Sequence, residues 1–139
     1  MYPDIQKQIK GYFENKEEVI AVYLFGSHGE GRERPLSDVD IGVLLDNEYR
    51  DHFREMRVLY LVELARLLRK DIHPVLLNSA SEALLRQIFS KGECLLVRDA
   101  TKLARHKMAM FAAIAEFGYY RDQMQSGLIR RLKRGVDGG

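Results

Sequence analysis

The chain has 139 residues, 46% of them hydrophobic and 30% charged, with a net charge of +2; this suits one domain with a modest core and implies no second. A single cysteine, Cys94, excludes an intramolecular disulfide, no apolar stretch approaches membrane-spanning length, and Met1-Tyr2-Pro3-Asp4 does not open a signal peptide, so a cytoplasmic protein is expected. Residues 101–139 hold eight Lys and Arg against three acids and the first hundred hold fourteen against seventeen, giving +5 and −3; the basic end lacks an aromatic stacking pattern, so a solvated helix face is the better reading than nucleic-acid binding.

In chain order, residues 3–16 read as a helix with Ile5, Ile9, Tyr12 and Phe13 on one side. The unbroken apolar run Val19 to Phe25 suits a strand buried on both faces, and Gly26-Ser27 falls at its carboxyl end. A polar loop over residues 28–37 carries Gly29, Gly31, Arg32, Arg34 and Pro35, and a second strand over 37–45 ends at an Asp46-Asn47 turn. Phe53, Met56, Tyr60, Leu64, Leu67 and Leu68 recur at helical spacing between Tyr49 and Lys70. Asp71 to Leu77 reads as a third strand, at an edge or distorted because Pro74 cannot donate to a ladder. Ser79 and Glu82 have capping-box spacing for a helix ending near Lys91-Gly92, and Glu93 to Val97 is a short fourth strand in which Cys94 reads as buried. Asp99 caps a long last helix whose Leu103, His106, Met110, Ile114, Phe117, Met124 and Leu128 recur every three or four residues, with a tail at Val136 to Gly139. One domain over 1–139 is expected, with a core at 1–98 and a C-terminal helix and tail at 99–139.

The chemistry concentrates in Gly26-Ser27, ten intervening residues, and Asp38-Val39-Asp40. Side chains two apart on a strand share a face, so Asp38 and Asp40 project together while Val39, Ile41 and Val43 enter the core. Two carboxylates facing one way repel unless a cation joins them, and their hard oxygens suit Mg²⁺ or Mn²⁺. A glycine at a strand end lets consecutive N–H groups and the Ser27 hydroxyl meet phosphate oxygens. Gly26 and Gly31 have Walker A spacing, but Arg32 and Glu33 stand where Lys and Ser or Thr are needed, which excludes a P-loop. Nucleotidyl transfer is the reading these residues support.

With Gly26, Ser27, Asp38 and Asp40 at this interval, the chain resembles the minimal nucleotidyltransferases (MNT proteins) of the DNA polymerase beta superfamily, over the first two thirds at least. The resemblance implies an α/β (α+β) palm fold: a small mixed four-stranded sheet flanked by helices, with a long C-terminal helix. It implies ATP as substrate with two Mg²⁺, one shared by Asp38 and Asp40 and the second beside Asp40 and Asp71, and β and γ phosphates cradled by Gly26 and Ser27. It also implies a third acidic residue on a later strand. Asp71 is the candidate, as metal ligand or general base, although counting back from Leu77-Asn78 puts the position on His73, otherwise read as a structural strand residue.

Many members of that family are antitoxins encoded beside HEPN-domain ribonuclease toxins, which implies AMP transfer to a toxin tyrosine. Two other readings stay open. One is a transferase for a small hydroxyl compound of the aminoglycoside type, for which the chain has little room to carry an acceptor domain. The other is a nucleotide-binding antitoxin that blocks its toxin by covering it. Homo- or hetero-oligomers through the distal C-terminal helix, including Tyr119-Tyr120, are expected alongside a core role for Met110.

Overall fold

The computed structural model describes residues 2–26, 38–113 and 115–116. Chain contacts divide the protein into two units, Met1–Leu103 and Ala104–Gly139. The first contains helix α1 (Tyr2–Phe13), strands β1 (Val19–Phe25) and β2 (Val39–Leu45), and helix α2 (Phe53–Leu68), then β3 (Ile72–Leu76), α3 (Glu82–Lys91) and β4 (Glu93–Val97). A last helix, α4, begins at residue 100, and residues 104–113 and 115–116 are the described part of the second unit.

The four strands form one mixed sheet in the order β3-β2-β1-β4. β1 runs antiparallel to both β2 and β4, and β3 runs parallel to β2. All seven residues of β1 are buried, as its unbroken apolar run requires of a central strand. β3 is an edge strand, which accommodates Pro74: the missing N–H falls where it interrupts nothing inside the sheet, and the Pro74 carbonyl accepts from Arg57 Nε at 3.1 Å.

Alternation along β1 and β2 divides the core into two layers. Val22, Leu24, Val39, Ile41 and Val43 pack with Ile5, Ile9 and Phe13 of α1 and Tyr60 and Leu64 of α2. On the other face Gly42 meets Leu77 and Ile88, so that layer closes under α3. Tyr60 is fully buried, and its hydroxyl donates to Glu18 Oε1 at 2.8 Å; burial, with the nearby carboxylate, pushes its pKa well above the ordinary tyrosine range.

Several boundaries differ from the sequence reading. α1 stops at Phe13, and the Arg98 guanidinium donates to the carbonyls of Phe13 and Glu14, satisfying acceptors that a longer helix would have used internally. The cap of α3 is Ser81, whose hydroxyl accepts from Leu84 N at 3.3 Å; Ser79 closes a short 3₁₀ turn, Leu77–Ser79. Leu67, expected on the core face, is 46% exposed although it falls on the same side of the helix as Tyr60; it stands in the last turn of α2. Cys94 is exposed as well, since β4 borders the sheet and has one unpaired side.

Asp99 caps α4 as expected, accepting from Lys102 N at 3.0 Å, and Lys102 reaches across to Asp46. Ile114, Phe117, Met124, Leu128, Tyr119-Tyr120 and the tail lie outside the described residues. Among the described residues no helix is long and apolar enough to cross a membrane.

Candidate active site

The site is built where β1 ends and β2 begins. Because the two strands are antiparallel, Phe25 lies opposite Asp40, and the residue after Phe25 must turn away from the oncoming strand. Gly26 makes that turn with φ +68°, a left-handed conformation that glycine adopts without penalty. Its missing side chain matters a second time: a Cβ there would stand 2.3 Å from Asp40 Oδ2. The Asp40 carboxylate therefore lies directly against the Gly26 backbone, and the space it occupies exists only because position 26 has no side chain.

Asp38 precedes the first residue of β2 and shares its face with Asp40, while Val39 between them is fully buried on the other. That burial anchors the strand and fixes the direction of both carboxylates. Asp38 is half exposed and pairs with His73, whose Nε2 lies 3.0 Å from Asp38 Oδ2. His73 comes from β3, where the parallel register puts it opposite Asp40. Asp71 lies one residue before that ladder begins, and its backbone carbonyl accepts from Val39 N at 2.8 Å. The sheet thus brings Gly26, Asp38, Asp40 and His73 together, with Asp71 flanking the start of β2. His73, read from sequence as structural, ends within hydrogen-bond distance of a candidate metal ligand; its period-two offset from Asp71 on an edge strand was the signal that could have found it.

Ser27 and the loop residues Gly29, Gly31, Arg32 and Arg34 lie outside the described residues. Among the described residues no three His, Cys, Asp or Glu side chains are grouped so that they could hold a metal ion. Asp38 and Asp40 nonetheless fit a hard divalent cation as a donor pair, being all-oxygen, co-facial, and seated where a glycine lets the Asp40 carboxylate lie against the backbone. Asp40 lies on the sheet face that α3 covers farther along, at Gly42.

Comparison with known proteins gives a consistent picture. The family model "Polymerase beta, Nucleotidyltransferase" matches residues 7–101. The chain is 36% identical over 91 residues to the protein adenylyltransferase MntA of Shewanella oneidensis, a match covering 63% of this chain and 60% of that protein. It is similar in fold to a crystal structure of a toxin-antitoxin with AMP-PNP, with TM-score 0.67 and 24% identity, covering 89% of this chain and 98% of the other. It is also similar to the MNT antitoxin in complex with the tri-AMPylated Shewanella oneidensis HEPN toxin, with TM-score 0.64 and 22% identity over 93% of this chain and 99% of the other.

Proposed function

Because the chain belongs to the polymerase beta nucleotidyltransferase family, we propose that it transfers AMP from ATP to a hydroxyl, the acceptor being a tyrosine of a partner HEPN-domain toxin that it thereby silences as an antitoxin. The observation that carries this reading is the Asp40 carboxylate seated against a left-handed Gly26, with Asp38 on the same face. Its identity with a protein adenylyltransferase supports the choice of AMP and of a protein acceptor. An ATP-using enzyme of this kind would work in the cytoplasm.

In this mechanism Gly26 admits the triphosphate close to the backbone, and Ser27 would add its hydroxyl to the β and γ phosphates. Asp38 and Asp40 would hold the divalent ions, Mg²⁺ by their oxygen character and two by family expectation. When bound, such ions neutralise phosphate charge and lower the pKa of the acceptor hydroxyl. The acceptor oxygen bonds to the α-phosphorus as the bond from that phosphorus to the pyrophosphate oxygen breaks. Asp40, the more enclosed of the two carboxylates, is placed to receive the acceptor proton, and Asp71 offers a second carboxylate at the rim. His73 orients Asp38 through the Nε2–Oδ2 contact.

One observation favours a second reading. A histidine stands opposite Asp40 where the family resemblance implies an acid, so the protein could bind ATP and block its toxin by contact without transfer. Incubation of the chain with α-labelled ATP, Mg²⁺ and the partner toxin separates the two. Label on the toxin, with a mass gain of one AMP and loss of both in Asp38→Asn/Asp40→Asn, is the expected outcome. Toxin inhibition without any mass gain, equal in the double variant, would replace transfer with blocking.

A further inference from the structure

Helix α2 is apolar on two sides. Tyr60 and Leu64 are buried in the core, yet on the opposite side Val58, Leu59 and Val62 remain 48%, 46% and 47% exposed. A helix apolar all round is ordinarily covered all round. At roughly 100° per residue, Glu55, Val58, Leu59, Val62 and Arg66 fall within an arc of about 100°. Along the helix this stripe reads acid, three apolar residues, base.

That order is self-complementary in one orientation only. Turned about a two-fold axis that passes beside the helix, level with the midpoint of positions 60 and 61, Glu55 faces Arg66 of a second copy, Leu59 faces Val62, and both ends pair at once. Glu55 and Arg66 lie on the same flank of the stripe, so the paired charges meet on one side of the seam. A parallel arrangement would set like charges together. We infer that the chain associates with a second copy of itself through this face of α2, the two helices antiparallel, with Val58, Leu59 and Val62 as the apolar seam and Glu55–Arg66 pairs closing each end.

Among the described residues the charged neighbours leave this contact open. Glu55 accepts from His52 Nδ1 at 3.0 Å, but both side chains are mostly exposed, and the carboxylate has a second oxygen. Arg57 is engaged with the Pro74 carbonyl, and Arg54 stands on the rim, about a quarter-turn off the seam. Three half-exposed aliphatic residues per copy make a small interface, below the size of permanent dimers, so association is reversible and concentration-dependent. The seam lies on the opposite side of the sheet from Asp40, because α2 covers the layer containing Val39 and Ile41. A dimer of this kind leaves both sites open, and it does not depend on what reaction they perform.

Sedimentation velocity of the full chain across a wide concentration range tests the orientation directly. Glu55→Arg alone and Arg66→Glu alone should each weaken the dimer by about tenfold or more, each turning two attractive pairs repulsive, whereas the double exchange should restore it. In a Cys94→Ser background, Leu59→Cys with Val62→Cys should cross-link on oxidation, since those positions face each other. A chain that stays monomeric at every concentration, a dimer indifferent to the single exchanges, or a double exchange that fails to restore association would each overturn the inference.

Discussion

At position 26 the backbone and the chemistry make the same demand. A methyl group there would lie 2.3 Å from Asp40 Oδ2, on a residue already at φ +68°. Gly26→Ala should therefore cost roughly 1–2 kcal/mol in chemical denaturation and lower AMP transfer by at least about a hundredfold, because a displacement near 1 Å at the reacting groups carries that penalty. Transfer at the parent rate would mean that Asp40 is not held where the mechanism needs it. Position 73 makes a complementary demand: His73→Asp places an acid opposite Asp40, so Mg²⁺ binding measured by isothermal titration should tighten, by about tenfold or more, while stability without metal should fall as three carboxylates repel. Unchanged Mg²⁺ affinity would put residue 73 outside the cation's reach. The placement of Asp38, Asp40 and Gly26 where β1 ends and β2 begins was readable from sequence because a short motif fixes both their spacing and their strand context. The His73–Asp38 pair was not, since it depends on the register between β2 and β3, and a one-residue change in that register would send His73 to the other face.

Among the elements, the strands were legible because long apolar runs have few other solutions in a chain this short, and β1 and β4 match the sequence reading residue for residue. Burial within β4 was not legible: Glu93 to Val97 has the composition of a core strand, but its place at the sheet border is a property of the whole topology, and Cys94 faces solvent as a result. The helix starts failed for a different reason, since Ser79 and Ser81 both offer a capping hydroxyl and only packing decides between them. Asn78 is what decides. Its side-chain amide donates to Leu45 O at 2.8 Å and its carbonyl accepts from Leu45 N at 3.0 Å, so the side chain mimics a strand backbone just after β3 has ended. This pairing holds the turn Leu77–Ser79 against β2 and delays α3 until Ser81. Asn78→Ala should lower unfolding free energy by about 1–3 kcal/mol in urea, since it strands two part-buried backbone groups of Leu45. A loss below the measurement error would show that water replaces both bonds.

Across the whole molecule, charge sets the terms on which a triphosphate can bind. The first hundred residues carry −3, and Asp38 and Asp40 stand together at the sheet end where the nucleotide would lie. ATP is itself strongly anionic, so without a cation its approach meets both carboxylates and the field of the surrounding unit. Binding should consequently be conditional on a divalent ion, whether or not transfer follows. A ligand that binds only the folded state at a hundred times its Kd adds about 2.7 kcal/mol, enough to raise the melting temperature by roughly 5 °C or more in a chain of this size. A non-hydrolysable ATP analogue with Mg²⁺ should produce that rise, and the analogue with EDTA should produce almost none. In Asp38→Asn/Asp40→Asn the repulsion is gone but so is the clamp, so the Mg²⁺-dependent part of the shift should vanish while the variant by itself melts no lower than the parent. A full shift for the parent in EDTA would mean that the nucleotide is gripped elsewhere, and it would remove the electrostatic reason for placing two acids beside Gly26.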